Sequence, residues 1–367
     1  MSLPTVGVEE EFHLADLTTG ALRPDASQVL AAARRRLGDD VDPELLRSQV
    51  EVGTATCTTL TEVRSELVRL RRGLADSAEA AGCALLASGT FPAPADEVAT
   101  TDDPRYQAMV QLFGPTAREQ VTCGCHVHVA VDEPTDAVTV VRRSRPWLPV
   151  LLALSANSPF QQGSDTSYAS YRSEIWSRWP TSGPAPALHS HEDYEVLVQR
   201  LLATGVLRDH GMLYWHARRS QRYPTVEFRV ADVCLAVDDA VLLAGLCRAV
   251  TQSCLLAEEQ GEPNPDLPAE VLRAATWRAA RFGVDGELLD PQAGVPVPAA
   301  DAVAALLAHV RPALEESGEV AEVDALVAAV LGRGSGARRQ RSAFARRGDI
   351  QDVIEALARE TLPSDQC

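Results

Sequence analysis

Three consecutive glutamates, Glu9, Glu10 and Glu11, stand inside Thr5 to Leu14 (TVGVEEEFHL), a run that otherwise reads as a buried strand. An extended chain alternates its side chains between two faces. Gly7, Glu9, Glu11 and His13 therefore share one face, and Val6, Val8, Glu10 and Phe12 the other. Glutamate is disfavoured in strands, and two carboxylates about 7 Å apart on one face repel unless a cation lies between them. The run predicts a strand that carries a metal.

Three later stretches repeat the division. Arg47 to Cys57 (RSQVEVGTATC) sets Gln49 and Glu51 opposite Val50 and Val52. Val121 to Val131 (VTCGCHVHVAV) puts His126 and His128 together, with Val121, Cys123, Cys125, Val127 and Val129 behind them. Pro224 to Val230 (PTVEFRV) puts Glu227 and Arg229 opposite Val226, Phe228 and Val230. Four strands with one apolar and one ionisable face predict a single sheet, its apolar side under helices and its ionisable side a cradle for charged ligands.

With 367 residues, 46% of them hydrophobic, the chain can bury a large core. Its 34 basic and 51 acidic residues give a net charge of −17, and the only basic cluster is the short Arg338 to Arg347 stretch. Nucleic acid is not an expected partner. No apolar run reaches the roughly 18 residues of a membrane span, and residues 1 to 10 lack the form of a secretory signal, so no membrane partner and a cytoplasmic location are expected. The eight cysteines lie mostly in apolar contexts and read as reduced core thiols. Cys123-Gly-Cys125-His126-x-His128 resembles a zinc site, but strand parity points both cysteines away from both histidines.

Every basic residue is arginine; the chain has no lysine. That removes the P-loop, pyridoxal and Schiff-base chemistry, and the protein-kinase strand lysine. Any phosphate handled here is met by arginine, backbone amides or metal ions.

Along the chain, helices are expected at Asp25 to Leu37, Thr59 to Gly82, Pro104 to Phe113, Glu192 to Thr204 and Ala236 to Gln260, and across Thr135 to Ala156 with a break at Pro146 and Pro149. Cys83 to Ser88 and Met212 to Ala217 read as two further strands, and Phe91 to Asp103 as a Pro-rich loop. The fold class is then α+β, a mainly antiparallel sheet of about six strands with helices packed on one face. Pro263 to Pro268 marks a boundary between a catalytic sheet-and-helix part (1–260) and a helical C-terminal layer (261–367) packed on it within one structural domain. That layer is expected to hold helices at Asp301 to Val310, Val320 to Leu331 and Ile350 to Ala358, with a turn-rich segment at Gly283 to Val297.

Asn157 to Pro186 is long, polar and aromatic without periodicity, and a loop of this length in a compact chain is usually functional. Its Asp165, Tyr168, Tyr171, Arg172, Trp176, Arg178 and Trp179 are candidates to order over a small polar substrate and an adenine ring. An oligomer contact, for which a homodimer is the expectation, is the other reading of this loop. Glu9, Glu11, Glu51, His126 and Glu227 are hard oxygen ligands plus imidazole, a set suited to Mg²⁺ or Mn²⁺. Arg229 beside them fits a site that neutralises phosphate oxygens in transfer.

At these residues the chain resembles the glutamate–cysteine ligase type 2 family, carboxylate–amine ligases related to glutamine synthetase. The matching pieces are GVEEEF at Gly7 to Phe12, VEVGTATC at Val50 to Cys57, CGCHVHV at Cys123 to Val129, NSPFQQGSDTSYASYR at Asn157 to Arg172 and PTVEFRVADV at Pro224 to Val233. The resemblance implies a glutamine synthetase-like funnel holding ATP and Mg²⁺, with metal roles for Glu9, Glu11, Glu51, His126 and Glu227. It implies catalytic roles for Glu227 and Arg229, Arg229 and Arg219 on the nucleotide, and a substrate site shaped by His128, Asp165, Tyr168, Arg172 and Trp179. The implied reaction joins an amino-acid carboxylate to an amine through an acyl phosphate, with glutamate and cysteine as the expected substrates. A metal-dependent hydrolase using the same face to activate water is the alternative, and ATP dependence separates the two.

Overall fold

The strand with three glutamates, β1 (Val6–Ala15), lies at the middle of the sheet in a computed structural model that describes residues 3–95, 98–264 and 267–362. The other strands of that sheet are β2 (Val41–Pro43), β3 (Gln49–Gly53), β4 (Ala84–Leu86), β5 (Gly124–Ala130), β8 (Ala217–Arg219) and β9 (Thr225–Asp232). Two hairpins stand apart from it, β6 (Phe160–Gln161) with β7 (Ser164–Asp165), and β10 (Glu287–Leu289) with β11 (Pro296–Pro298). The seven-stranded order is β2-β3-β1-β5-β9-β8, with β4 also paired to β1. Every strand pair is antiparallel.

The helices are α1 (Ala26–Leu37), α2 (Leu60–Ala80), α3 (Pro104–Phe113), α4 (Pro115–Arg118), α5 (Pro134–Ser144), α6 (Leu148–Ser155), α7 (Tyr171–Trp176), α8 (His191–Ala203), α9 (Val237–Glu259), α10 (Ala269–Phe282), α11 (Ala299–Ser317), α12 (Val320–Arg333), α13 (Gly336–Phe344) and α14 (Ile350–Thr361). Thr59 starts α2 with a capping box, its hydroxyl accepting from the Glu62 amide while Glu62 reaches back, worth about 1 kcal/mol over an uncapped end. Leu60, Val63, Leu67, Leu70 and Leu74 form its buried stripe, each contributing about 1.5–3 kcal/mol by leaving water. With α9 this helix covers the apolar side of β1 and β5. Among the described residues α9 alone is long and apolar enough to cross a membrane, and it lies buried in the core.

The sheet has one strand more than the sequence suggests. The missed member, β2, is three residues long and ends in proline at the sheet's edge, too short for an alternation to show. The strand read at Met212 to Ala217 is displaced toward the C-terminus, to β8. The first residue of that stretch closes a 3₁₀ turn, and pairing with β9 begins only at Ala217. Its apolar side chains are buried under the polar loop, where Trp215 makes a bridge with Gly183 and packs against Tyr194. The break expected at Pro146 and Pro149 is present between α5 and α6, with Pro149 in the first turn of α6, where a missing N–H is harmless. The loop read at Phe91 to Asp103 is described except at 96–97. The boundary read at Pro263 to Pro268 includes Pro265 and Asp266, outside the described residues, as are the last five residues of the C-terminal layer.

A buried ion pair lies on the apolar side of the sheet. Arg71 of α2 donates to both oxygens of Glu10, at 2.8 and 2.6 Å, and to the carbonyls of Cys234, Leu235 and Thr361. The last of these belongs to α14, whose Thr361 hydroxyl also accepts from the Ala87 amide at 2.8 Å. Gln340 of α13 donates to Asn157 at both its backbone and side-chain oxygens. The C-terminal helices are thus bonded to α2, to the segment that follows β4 and to the one that follows α6.

Candidate active site

Strand pairing sets the ionisable residues in rows across the open face. Glu9 pairs with His126 and Gly7 with His128, Glu11 with Glu51, and Glu227 with His128 on one side and Arg218 on the other. A cleft of about 250 Å³ lies over these rows. Glu11, Glu44 and Glu51 line one end, Arg218, Arg222 and Arg229 the other, and Trp176, Trp179 and Tyr214 form a wall.

One irregularity keeps β9 facing correctly. From Gly124 to His128 the strand β5 spans five residues, whereas its partners Asp232 to Glu227 span six. The extra residue is a bulge on β9 next to Arg229, whose amide donates instead to the His216 carbonyl at 2.8 Å. Without it Asp232 would face the helices. With it, Asp232 faces Gly124 and accepts from the Asn157 amide and the Ser158 and Ser170 hydroxyls, at 2.7–2.8 Å.

Distances within the face are short. Glu9 lies 3.4 Å from His126 Nδ1 and 3.3 Å from His128 Nε2. Glu11 accepts from the Gly124 amide at 2.6 Å, and its other oxygen is 3.8 Å from His126 Nε2. Glu227 is gripped by Arg218 at 2.7 and 3.2 Å and by Arg229. Arg218 is itself held by the carbonyls of Gly211 and Leu213, at 2.7 and 3.0 Å.

Burial and mutual repulsion split these acids. Burial, reinforced by Glu44, pushes the Glu11 carboxyl up to about 8. Burial and the charges of Glu9, Glu44 and Glu11 hold Glu51 well above the ordinary range, and burial raises Glu44 as well. Burial acts the same way on Glu227 and Glu9, but is outweighed by Arg229 and Arg218 at the former and by the two histidines at the latter. Burial and then the Arg229 charge push His126 down to about 4, which leaves a neutral imidazole for a metal.

The donor set fits hard divalent ions. Three groups have ligand atoms within 4.8 Å of one another: Glu9, Glu51 and His126; Glu9, His128 and Glu227; and Glu11, Glu44 and Glu51. His126 Nε2 and His128 Nε2 are buried and make no hydrogen bond, although buried polar atoms are normally satisfied. Carboxylates held together in this way repel, and either protonation or a bound cation offsets that repulsion.

Other sequence candidates are placed differently. Arg219 faces away from the cleft and pairs with Glu195 of α8 at 3.2 Å, because β8 alternates and Arg218 takes the inward position. Asp165 is clasped by Arg341 on the β6–β7 hairpin, and Tyr168 packs on Trp277 and Tyr171. Neither lines the cleft, because the loop spends these residues on contacts with α10 and α13. Arg172 is buried with its guanidinium over Gly124, 4.0 Å from Asp232, and acts on Glu11 through its charge. Trp179 lines the cleft but is packed against Trp176 and Tyr214. Sequence reading missed Glu44, which sits in the turn after the short β2 and carries no periodic signal. It also missed Arg218, which the parity of β8 would have indicated had that strand been placed correctly.

This geometry, an antiparallel sheet with carboxylates, imidazoles and guanidiniums on one face, defines a class of folds built to hold charged ligands. Residues 5–356 match the model of glutamate–cysteine ligase family 2. The chain is 50% identical over 371 residues to a Frankia alni protein named "Putative glutamate--cysteine ligase 2-2", covering 97% of each. It is 46% identical to the Nocardia farcinica "Putative glutamate--cysteine ligase 2-1", covering 99% of this chain and 94% of that protein. Among solved structures, the Francisella tularensis glutamate–cysteine ligase in complex with AMP superposes with a TM-score of 0.72 at 12% identity, over 98% of this chain and 89% of that one. The chain belongs to glutamate–cysteine ligase family 2.

Proposed function

We propose that the protein is an ATP-dependent carboxylate–amine ligase whose acid substrate is glutamate and whose amine substrate is cysteine. The observation that carries the reading is the single sheet face on which Glu9, Glu11, Glu51, His126 and Glu227 converge beside Arg229 and Arg218. The relatives are named as ligases of this kind, and no observation favours the hydrolase alternative.

The residues that would hold Mg²⁺ are Glu9, Glu11, Glu44, Glu51, His126, His128 and Glu227. Bound there, the ion supplies Lewis-acid charge on phosphate oxygens. Arg229 is fixed by Glu227 and by the face of Trp176, 5.8 Å from its guanidinium carbon, so its cation is preorganised for the phosphoryl group in transfer. Arg218 is positioned to meet the remaining phosphate charge. Trp176, Trp179 and Tyr214 keep water from the acyl phosphate that the amine attacks. The acid and the amine are held by the rest of the cleft. The C-terminal helices form one domain with the sheet, buttressing it rather than adding a site.

The test is ADP release by the purified protein with Mg²⁺ titrated, offered glutamate and a panel of amines including cysteine. ADP formed only when acid and amine are both present supports the ligase. ADP formed with neither, or no nucleotide turnover with any pair, counts against it. Arg229→Lys should lose at least about tenfold in turnover, because a point ammonium cannot replace a fork that bonds Glu227 and stacks on Trp176.

A further inference from the structure

The turn between β8 and β9 contributes Ser220 and Arg222 to the lining of the cleft, beside Arg218 and Arg229. It is closed by its own bonds, Ser220 to Thr225 at 2.9 Å, Thr225 to Tyr223 at 2.8 Å, and the Tyr223 amide to the Ser220 hydroxyl at 3.3 Å. Tyr223 is 45% exposed although it stands beside a polar cleft. One edge of its ring meets His128, with centroids 6.1 Å apart and planes at 88°. His128 is in turn fixed by the Thr225 hydroxyl at 3.0 Å. The guanidinium carbon of Arg222, which lines the cleft, lies 5.1 Å from the Tyr223 centroid. Among the described residues Arg222 has no carboxylate partner, unlike Arg218 and Arg229.

The other aromatic rings of the cleft are committed elsewhere. Trp176, Trp179 and Tyr214 pack on one another at 5.0–6.4 Å. Tyr106 bonds the Pro43 carbonyl and stands near Glu44, at the acidic end. An exposed ring with a guanidinium beside it, at the end of the cleft where phosphates find cations, has the chemistry of a base platform. Arg222 lines the same cleft as Glu9 and Arg229, so a nucleotide with its terminal phosphate by those two can present its base to this turn.

Resting on the ligase reading of the cleft, we propose that Tyr223 and Arg222 form the docking platform for the purine base of ATP. Tyr223 stacks on the base, and Arg222 bridges between the base and the phosphates. The aromatic loop at Asn157 to Pro186 does not serve this purpose.

Calorimetric titration of the full-length protein in Mg²⁺, with ATP and separately with inorganic tripolyphosphate, tests the assignment. Tyr223→Ala should weaken ATP about tenfold, the usual scale of one lost base stack, and leave tripolyphosphate unchanged. Tyr223→Phe should bind both as the wild type does. ATP binding equal in Tyr223→Ala and wild type overturns the platform alone. Equal weakening of ATP and tripolyphosphate also overturns it, since the residue would then be shaping the phosphate end. A wild type that binds tripolyphosphate or ATP not at all overturns the ligase reading and the platform with it.

Discussion

Arg71 and Glu10 meet through two hydrogen bonds, of 2.8 and 2.6 Å, on the apolar side of β1 between the two glutamates that face the cleft. Both side chains are fully buried. The middle glutamate of the triplet is therefore not a ligand but the anchor that fixes the direction of its neighbours.

Arg71→Met should destabilise the protein by about 3–5 kcal/mol, since it leaves a buried carboxylate without its partner. The double variant Glu10→Gln with Arg71→Met should recover part of that loss. Urea unfolding at constant pH measures both. A single variant with an unshifted midpoint would show that the pair contributes nothing to stability.

Glu44→Gln and Glu227→Gln should shift the metal-free melting temperature in opposite directions. Burial raises the Glu44 carboxyl, and the Glu44 charge adds to burial in raising those of Glu51 and Glu11, so removing that charge relieves repulsion and the melt should rise. Glu227 neutralises the buried guanidiniums of Arg218 and Arg229, so removing its charge should lower the melt. Both variants should need more Mg²⁺ for half-maximal turnover. If both melts move the same way, the electrostatic division of the cleft is wrong.

Gly124→Ala should disturb the site more than the fold. A Cβ there would lie 3.2 Å from His126 Nε2 and overlap the Arg172 guanidinium. Arg172 is the end of a flexible side chain and can move aside, so the melt should change little while turnover falls about tenfold or more. Wild-type turnover in this variant would mean that Arg172 has no influence on the face.

Acid should unfold the protein partly through His216. Burial, followed by the Arg172 charge, pushes its pKa from 6.5 down to about 4. The folded state then binds fewer protons than the unfolded one below pH 6.5. Its contribution is complete above 6.5 and is lost toward pH 4, by up to about 1.4 kcal/mol per pH unit. His216→Gln should flatten the stability profile in that window, read from urea midpoints between pH 4 and 7. An unchanged slope would mean that other groups carry the acid sensitivity.

Alternation made the middle of the sheet legible, because β1, β3, β5 and β9 are long enough for a period of two to show and their apolar positions are buried. It could not reveal Asp232, an even-numbered residue that the bulge turns to the odd-numbered face. Nor could it separate Arg218 from Arg219, for which the strand's start had to be known to within one residue. Asp165 and Tyr168 misled because polar and aromatic composition marks a loop as busy without saying what it contacts. Their partners, Arg341 and Trp277, lie more than a hundred residues further along the chain.

The carbonyl of Thr361 is among the groups that Arg71 bonds, and the Thr361 hydroxyl satisfies the amide that follows β4. On a ribosome, the segment carrying Arg71 emerges nearly three hundred residues before the one that completes its coordination. Until α14 arrives, the guanidinium behind Glu10 lacks an acceptor and the Ala87 amide lacks its own. Nascent chains should therefore hold β1 loosely, and its carboxylates should reach their final alignment only once α14 is released.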